Sequence, residues 1–223
     1  MIMKITGSRS LSVLSVAIFF CLFLLVSCST IYYSAWEKLG KHKRDLLKDN
    51  VEAVKEEQIE AREEFKSALE RLKELTDFDG GDLEDMYNRL KDDYDSCRER
   101  ADAITDRIDN INEIAADLFS EWEKEIDSMS NRAMKRKDRA RLQETKRRFS
   151  RFARAMEKAE GRLEPVLVSL NDQVLYLKHN LNARAVAGLK GEVTDIETDV
   201  NSLIRDMSAS IAEADAFIKN MEK

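Results

Sequence analysis

Apolar residues recur along most of this 223-residue chain at alternating steps of three and four positions. Such steps keep the side chains on one face of an α-helix, and a sustained seven-residue repeat is typical of helices that supercoil around one another. The first series consists of Tyr33, Trp36 and Gly40, followed by Leu47, Val51, Val54, Gln58, Ala61, Phe65, Ala68, Leu72 and Leu75. Further series of core positions run from Leu83 to Trp122, from Leu142 to Leu181 and from Val186 to Met221. Nothing in the sequence shows the period of two that a half-buried strand requires, so the pattern predicts an all-α protein.

Turn-forming residues are few, and the clearest of them follow the first series. Gly80 and Gly81 lie in an acidic turn, and Asp82 is suited to cap the helix that begins after it. A second, weaker break follows residue 128, where Ser130 or Asn131 could cap the next helix. These two breaks separate three long helical segments.

A third break is predicted near Asn180 and Asn182, because asparagine favours helix ends and turns. Pro165 lies inside an apolar pattern, where it should kink its helix without ending it. The predicted helices therefore cover residues 31–76, 83–128, 132–180 and 183–221. Near-equal lengths joined by short turns predict antiparallel neighbours, and thus a long, up-down, coiled-coil-like bundle of about four helices.

The distribution of charge supports a pairing of the second and third helices. Residues 77–127 contain 18 Asp and Glu against 6 Lys and Arg, whereas residues 132–162 contain 13 Lys and Arg against 4 Asp and Glu. Opposite charges on adjacent helices help to set partner and orientation. The basic stretch from Lys135 to Arg148 could instead bind anionic lipid head groups or nucleic acid, but pairing with the acidic helix is the simpler interpretation.

Composition narrows the class of protein further. Charged residues make up 36% of the chain, which has 7 Gly, 1 Pro and 2 His. Folds built on β-structure need more turn residues than this, and three cysteines cannot build a disulfide-stabilised scaffold. The sequence has no glycine-rich phosphate loop, nucleophile elbow or metalloprotease motif. We therefore expect neither an enzyme nor a cofactor-binding protein, and no small-molecule substrate is evident.

The segment before Cys28, residues 1–27, is typical of an export signal. Lys4 and Arg9 precede an uncharged apolar run, Leu11–Val26, that is shorter than the ~20 residues of a membrane span. The run ends in Leu25-Val26-Ser27-Cys28, which resembles the lipobox of bacterial lipoproteins. In such proteins the signal is cut before the cysteine, which carries the lipid anchor, so we predict lipidation of Cys28. An uncleaved signal anchor with an incidental cysteine is the alternative.

The residue after Cys28 bears on the membrane in which the anchor would lie. Lipoproteins kept in the inner membrane usually have Asp at that position, whereas this chain has Ser29. In a cell with two membranes, we therefore expect an outer-membrane protein whose residues 28–223 form one elongated helical domain facing the periplasm. Export also argues against nucleic acid as a partner.

The far tip of the predicted bundle contains the candidate partner-binding residues. Gly80 and Gly81 lie in one turn there, and His179, Asn180 and Asn182 lie in the other. A polar tip with a histidine could recognise a protein, although turn capping explains the same residues. The other histidine of the chain belongs to the opposite end, so the two cannot share a metal ion, and we expect no metal site.

Two further features allow more than one interpretation. Cys97 occupies an apolar position of the second helix, so we expect a buried thiol, with an intermolecular disulfide as the alternative. Leu163–Leu181 is the most apolar stretch after the signal and covers more than one helical face. It could be a core helix between two neighbours or a self-association surface, and a four-helix arrangement favours the core.

Three stretches together resemble a known family: Tyr32–Asp45, Phe78–Asp85 and Asp172–Ala183. They are similar to bacterial envelope proteins catalogued as domain of unknown function 2959, and the resemblance extends over essentially the whole chain after Cys28. It implies a Gram-negative lipoprotein of helical, coiled-coil type. It implies no reaction and no catalytic residues.

We therefore expect a lipid-anchored envelope protein with a structural or protein-interaction role. The expected partners are the membrane, through Cys28, and either another protein or a second copy of the chain. Two alternatives stay open at this point. The first is a regulator of an envelope enzyme that acts through the distal tip, and the second is a carrier of an apolar ligand within the bundle.

Overall fold

A computed structural model describes residues 43–77, 80, 82–182, 186 and 188–221. Within these residues the chain forms helices and no strand: α1 (Lys43–Thr76), α2 (Leu83–Ser128), α3 (Arg132–Glu160), α4 (Leu163–His179) and α5 (Lys190–Met221). Leu46–Lys223 form one compact unit, and Met1–Asp45 form a second, of which only the first residues of α1 are described. The all-α prediction is confirmed, whereas the signal peptide and Cys28 lie outside the described residues.

The helices of the larger unit form an up-down bundle in which α3 and α4 together occupy one of four positions. α2 and α5 each pack against both α3 and α4. α1 lies on the other side, where Arg71 pairs with Asp93 of α2 (3.3 Å) and Lys55 pairs with Asp215 of α5 (3.0 Å). The first and the last helix therefore meet, and they close the bundle.

The core consists largely of the apolar positions that the seven-residue repeat marks. Every described position of the first series, Leu47 to Leu75, is buried in α1, whereas Tyr33, Trp36 and Gly40 lie outside the described residues. In the last series, the buried positions are Val186, Leu189, Val193, Ile196, Val200, Leu203, Met207, Ala214, Phe217 and Met221. Each fully buried Leu, Ile or Phe side chain stabilises the fold by ~1.5–3 kcal/mol, so these seams provide most of the driving force for helix association.

An aromatic cluster joins α2, α3 and α5. Phe149 lies edge-on to Phe119, with ring centroids 5.6 Å apart, and edge-on to Phe217, at 5.8 Å. Phe152 stacks on Phe217 at 5.8 Å. Because Phe119 fills this layer, the predicted core position Trp122 is only half-buried. The sequence repeat therefore loses its phase near the end of α2.

The predicted caps are confirmed at the first two breaks. The Asp82 carboxylate accepts hydrogen bonds from the backbone N–H groups two and three positions later, at 2.9 and 3.2 Å. The Asn131 side chain does the same at the start of α3, at 3.0 and 3.1 Å. Each side chain satisfies donors that the first turn of a helix leaves unpaired, which is worth ~1 kcal/mol per cap.

The prediction of one helix over residues 132–180, kinked at Pro165, is wrong in its detail. α3 ends at Glu160 and α4 begins at Leu163, so the break lies at Gly161 and Arg162, one turn before the proline. Pro165 has no N–H to bond the carbonyl four residues earlier, and its ring clashes with that carbonyl. Since glycine is also a poor helix former, the chain leaves the helix at Gly161.

The start of the fourth predicted helix, 183–221, lies partly outside the described residues. α4 ends at His179 with Asn180 as its C-cap, as the predicted third break requires, and α5 covers Lys190–Met221. Before α5, Val186 and Gly188 are also helical. The Leu189 N–H donates to the carbonyl of Val186, three residues back, at 3.1 Å. Residues 183–185, 187 and the predicted start of the first helix, 31–42, lie outside the described residues.

A buried carboxylate connects α5 to the break between α3 and α4. Asp206 is 8% exposed and accepts hydrogen bonds from Lys158 Nζ (2.7 Å) and from Arg162 Nε. Burial alone would raise the pKa of the Asp206 carboxyl, but the bonds from the two cations outweigh it and hold the pKa below its usual range. Because the pKa is lowered in the folded state, this carboxylate stabilises the fold above pH ~4, and the contribution is lost as the pH falls further.

A polar layer interrupts the core between α1 and α5. Gln58 is 1% exposed and Ser210 is fully buried, and neither side chain has a hydrogen-bond partner among the described residues. The Lys55–Asp215 pair sets the register of the two helices, which places Gln58 and Ser210 within about one helical turn of the same level. A polar core position of this kind costs stability while helping to specify helix register.

Replacing Asp206 by Ala should destabilise the protein by ~1–3 kcal/mol, because Lys158 and Arg162 lose their shared acceptor. Asp215→Ala on the same helix is the matched control. Its carboxylate is 62% exposed, so we expect a loss below ~1 kcal/mol. Urea unfolding followed by circular dichroism measures both, and the Asp206→Ala deficit should shrink as the pH is lowered below ~4. Equal losses for the two variants would contradict a special role for Asp206.

Replacing Gln58 by Leu should stabilise the protein by ~1–3 kcal/mol, because an unpaired buried amide is exchanged for an apolar side chain of similar size. Thermal unfolding should show a higher Tm. Gln143→Leu, on the exposed surface of α3, serves as the control and should leave Tm nearly unchanged. A lower Tm for Gln58→Leu would mean that the Gln58 amide makes a stabilising hydrogen bond in solution.

Candidate interaction surfaces

The two ends of the bundle, distal and basal, differ in the connections between helices that they contain. Lys190 Nζ lies 3.2 Å from Asp77 Oδ1, which brings the α1–α2 turn and the α4–α5 connection together at the distal end. The α2–α3 connection forms the basal end. Because α1 runs antiparallel to α2, the bundle begins at the basal side with Leu46.

Gly80 and His179 both lie at the distal end, as predicted. Gly80 has φ +143°, a backbone conformation that residues with a Cβ rarely adopt. No heavy atom lies within 4 Å of the position that a Cβ would take. The glycine is thus required by backbone conformation and not by space. His179 is exposed at the last turn of α4. Gly81, the remaining glycine of the predicted tip, lies outside the described residues.

Asn180 and Asn182 shape the chain at the end of α4. The Asn180 backbone N–H donates to the Leu177 carbonyl, and its side-chain amide donates to the Tyr176 carbonyl, both at 3.0 Å. The Asn182 N–H in turn donates to the Asn180 carbonyl at 2.8 Å. Asn180 therefore caps α4, and its side-chain amide is engaged in that cap.

α4 is a core helix that also presents an apolar surface. Its buried residues are Leu163, Val166, Leu167, Leu170, Gln173, Val174 and Leu177. On the opposite side, Val168, Leu175 and Tyr176 are exposed by 47%, 46% and 43%. The core interpretation of this stretch is confirmed. The exposed residues, spaced by seven and eight positions, form a distal apolar face on the same helix.

The predicted pairing of α2 with α3 is confirmed at the basal end. Lys135 and Arg139 both contact Asp127, at 3.2 and 2.7 Å. Further along α3, Lys146 contacts Glu123 at 2.6 Å. All of these groups are at least partly exposed, so each pair adds little to stability. Together they fix which face of α3 lies against α2.

Four other cations of α3 make no contact of this kind. Arg132, Arg136, Lys137 and Arg141 are exposed and form no ion pair with any residue that the structure describes. The first half of α3 is little buried, and Leu142 is its only buried residue before Phe152. Met134 is 61% exposed within the same segment. The charge pattern of the sequence predicts the pairing but not which cations stay unpaired, because that depends on the rotation of α3 against α2.

Cys97 has the buried thiol that the sequence predicts. The residue is fully buried in α2 and forms no disulfide with any described residue. Burial raises the pKa of the thiol well above its usual range, and the carboxylates of Glu64 and Asp93 add to this effect. A thiol held in its protonated form is a poor nucleophile and a poor metal ligand.

The described residues hold no group of three or more His, Cys, Asp or Glu side chains that could bind a metal ion. Among the helices described here, none combines the length and the apolar character needed to cross a bilayer. The features that the described part of the chain does offer are surfaces: the distal apolar face of α4 and the exposed cations in the first half of α3.

The described residues define a structural class, the all-α helical bundle. This fold does not by itself define an activity. The family described as "Protein of unknown function (DUF2959)" matches residues 32–221, and the chain belongs to this family. The match confirms the resemblance seen in three stretches of the sequence. No curated protein and no solved structure matches the chain significantly.

Proposed function

We propose that the chain is a bacterial envelope lipoprotein whose helical bundle serves as a structural or protein-interaction module. The observation that carries this proposal is the order of features up to Cys28. Basic residues precede an uncharged apolar run, which ends in Leu25-Val26-Ser27-Cys28. This order is the one that lipoprotein signals require, and Cys28 is the residue that would carry the lipid.

The bundle is suited to this role because it begins only a few residues after the proposed lipid anchor. Only the segment 29–42 separates Cys28 from Lys43, where α1 begins. Even a fully extended chain of that length spans at most ~50 Å, so a lipid at Cys28 would keep the start of α1 near the membrane. With Ser29 after the cysteine, we propose that this membrane is the outer membrane and that the bundle faces the periplasm.

We further propose that the role is not catalytic. Several polar residues that the sequence brought to attention act as helix caps in the structure, namely Asp82, Asn131 and Asn180. Exposed carboxylates of α2, such as Asp127 and Glu123, are engaged by cations of α3. These residues end helices or hold them together, as in a helical scaffold. This supports the proposal of a module that positions or binds another component.

One observation favours the regulatory alternative as a second candidate. Leu175, Tyr176 and Leu181 are large apolar residues that lie exposed around His179 at the distal end. An exposed apolar patch rimmed by polar groups is typical of a protein contact. The carrier alternative has less support, because bulky core side chains such as Phe65 and Phe152 are fully buried and packed.

Replacing Cys28 by Ala should leave an uncleaved and unlipidated precursor when the full chain is expressed in a Gram-negative host, because the thiol that accepts the lipid is lost. Metabolic labelling with an alkyne analogue of palmitate, followed by electrophoresis, measures both changes. Cys21→Ala, inside the apolar run, is the control and should be processed and labelled like the unmodified chain. The labelled protein should fractionate with the outer membrane. Normal cleavage or labelling of Cys28→Ala would contradict the lipoprotein proposal.

A further inference from the structure

The distal apolar face of α4 continues onto the neighbouring helix α2. Arg98 of α2 contacts Glu164 of α4 at 2.7 Å, and this contact fixes the levels of the two antiparallel helices. Four and eleven positions before Arg98, on the same side of α2, are two half-buried aromatic residues, Tyr94 and Tyr87. They lie level with the exposed residues at positions 168 and 175 of α4. The apolar surface is therefore wider than α4 alone.

A row of carboxylates borders the same face on α5. Arg162, the residue before α4, contacts Asp206 of α5, so this side of α5 turns towards α4. The positions 7, 11 and 14 residues before Asp206 lie on the same side of the helix, and they hold the acid row, Asp199, Asp195 and Glu192. Because the helices are antiparallel, the row is level with residues 169–176 of α4. It therefore runs along the distal apolar face.

Charge within the chain does not neutralise the acid row. Its three residues are exposed and form no ion pair with any residue that the structure describes. Asp172, on the outer side of α4, is exposed and unpaired in the same sense. Of the nearby cations, Lys91 and Arg98 are already paired, with Asp95 and with Glu164, which leaves Lys178 on α4. The surface thus carries net negative charge that a partner can neutralise.

The spacing of the exposed residues indicates which kind of element fits. Val168 and Leu175 are seven positions apart, so their side chains project from one side of α4 at the spacing that a second helix can interdigitate with. Tyr176 adds an apolar ring with a polar hydroxyl, a combination common in protein contacts. The described residues contain no strand whose edge an extended segment could join. A helix is therefore the element that matches this surface.

A second copy of the chain fits the surface less well. In a two-fold dimer one patch meets the same patch of the other copy. Here such a contact would bring together two surfaces of net negative charge, each with the acid row and Asp172. Like charges in one interface disfavour that pairing. A partner with basic residues beside its apolar ones meets no such repulsion.

We propose that the distal apolar face, together with the acid row, binds a basic amphipathic helix of another protein. This inference rests on the protein-interaction role proposed above and does not require the lipid anchor. Apolar side chains of the partner helix cover Leu175 and Tyr176, while its Lys or Arg residues pair with the acid row. The apolar contact provides affinity, and the carboxylates select a basic partner.

The test places a photoreactive benzoylphenylalanine at residue 176 of the full chain, held in nanodiscs of phosphatidylcholine. The probe is a fluorescent synthetic helix of about three heptads, with Leu at the first and fourth positions of each heptad and Lys beside them. One control peptide has Glu in place of every Lys, and a second has the composition of the probe in scrambled order. Irradiation followed by electrophoresis measures adducts of peptide with chain. Ile59, exposed by 38% on α1, is the matched position for the photoreactive group.

The basic probe should form adducts at residue 176. The acidic peptide should form on the order of tenfold fewer, because it is repelled by the acid row. The scrambled peptide lacks an apolar stripe and should lose a similar factor. High salt should reduce the yield because it screens the attraction between probe and acid row. Residue 59 should form few adducts with any of the three peptides.

Variants of the chain test the two parts of the surface separately. The triple variant Glu192→Gln, Asp195→Asn, Asp199→Asn should lower the yield about three- to tenfold. The control variant Glu56→Gln, Glu63→Gln, Glu113→Gln removes the same charge elsewhere and should keep it. Leu175→Ser should lower the yield on the order of tenfold, because an apolar contact is lost. Circular dichroism checks that each variant is folded.

The inference is overturned if the folded chain forms no adduct at residue 176, or if the acidic peptide reacts as well as the basic one. Equal yields at residues 59 and 176 would show contact without a preferred face. Covalent dimers of the chain, formed through residue 176 without peptide, would assign the face to a second copy. If the probe binds and reacts at residue 59 instead, the interaction role stands but lies on another surface. The labelling of Cys28 tests the lipoprotein proposal independently of all these results.

Discussion

Burial of one apolar seam per helix is the constraint on which the rest of this structure depends. Each helix has an apolar seam, which leaves water only when neighbouring helices pack against it. α4 has further apolar residues that stay exposed. The arrangement that covers all of the seams brings α1, at the start of the bundle, against α5, at its end. The Lys55–Asp215 contact lies at the surface of this α1–α5 interface and fixes the register of the two helices. The positions of the caps, the other ion pairs and the exposed faces follow from this packing.

The seams can be predicted from the sequence because the seven-residue repeat is a local signal. Every described position of the first series is buried, and so is every position of the last. The repeat fails where a contact from a distant part of the chain decides the outcome. Phe119 replaces Trp122 in the core of α2, because it packs edge-on against Phe149. The sequence does not predict the break at Gly161, because glycine occurs inside helices as well as at their ends. In addition, Asp206, which binds Lys158 and Arg162 on either side of the break, lies more than 40 residues further along the chain.

The same distinction applies to the candidate surfaces. Opposite charge on the second and third helices predicts that they pair, and the contacts of Asp127 confirm this. Sequence alone cannot show which cations remain unpaired, because the answer depends on how α3 is rotated about its axis. Similarly, the apolar stretch after Leu163 is compatible with either core or surface. The structure shows that one side of α4 is core while Leu175 and Tyr176 are exposed.

The closure of α1 on α5 is tested most directly by chemical crosslinking within one chain. Lys55→Cys and Asp215→Cys are introduced together, with Cys21, Cys28 and Cys97 replaced by Ala, and the protein is treated with a short bis-maleimide. A closed bundle should give a monomer with an internal crosslink. Lys55→Cys combined with Glu197→Cys is the control, because residues 197 and 215 lie ~27 Å apart along α5, and it should not crosslink internally. Crosslinked dimers, or equal internal crosslinking in the control, would contradict the closed bundle.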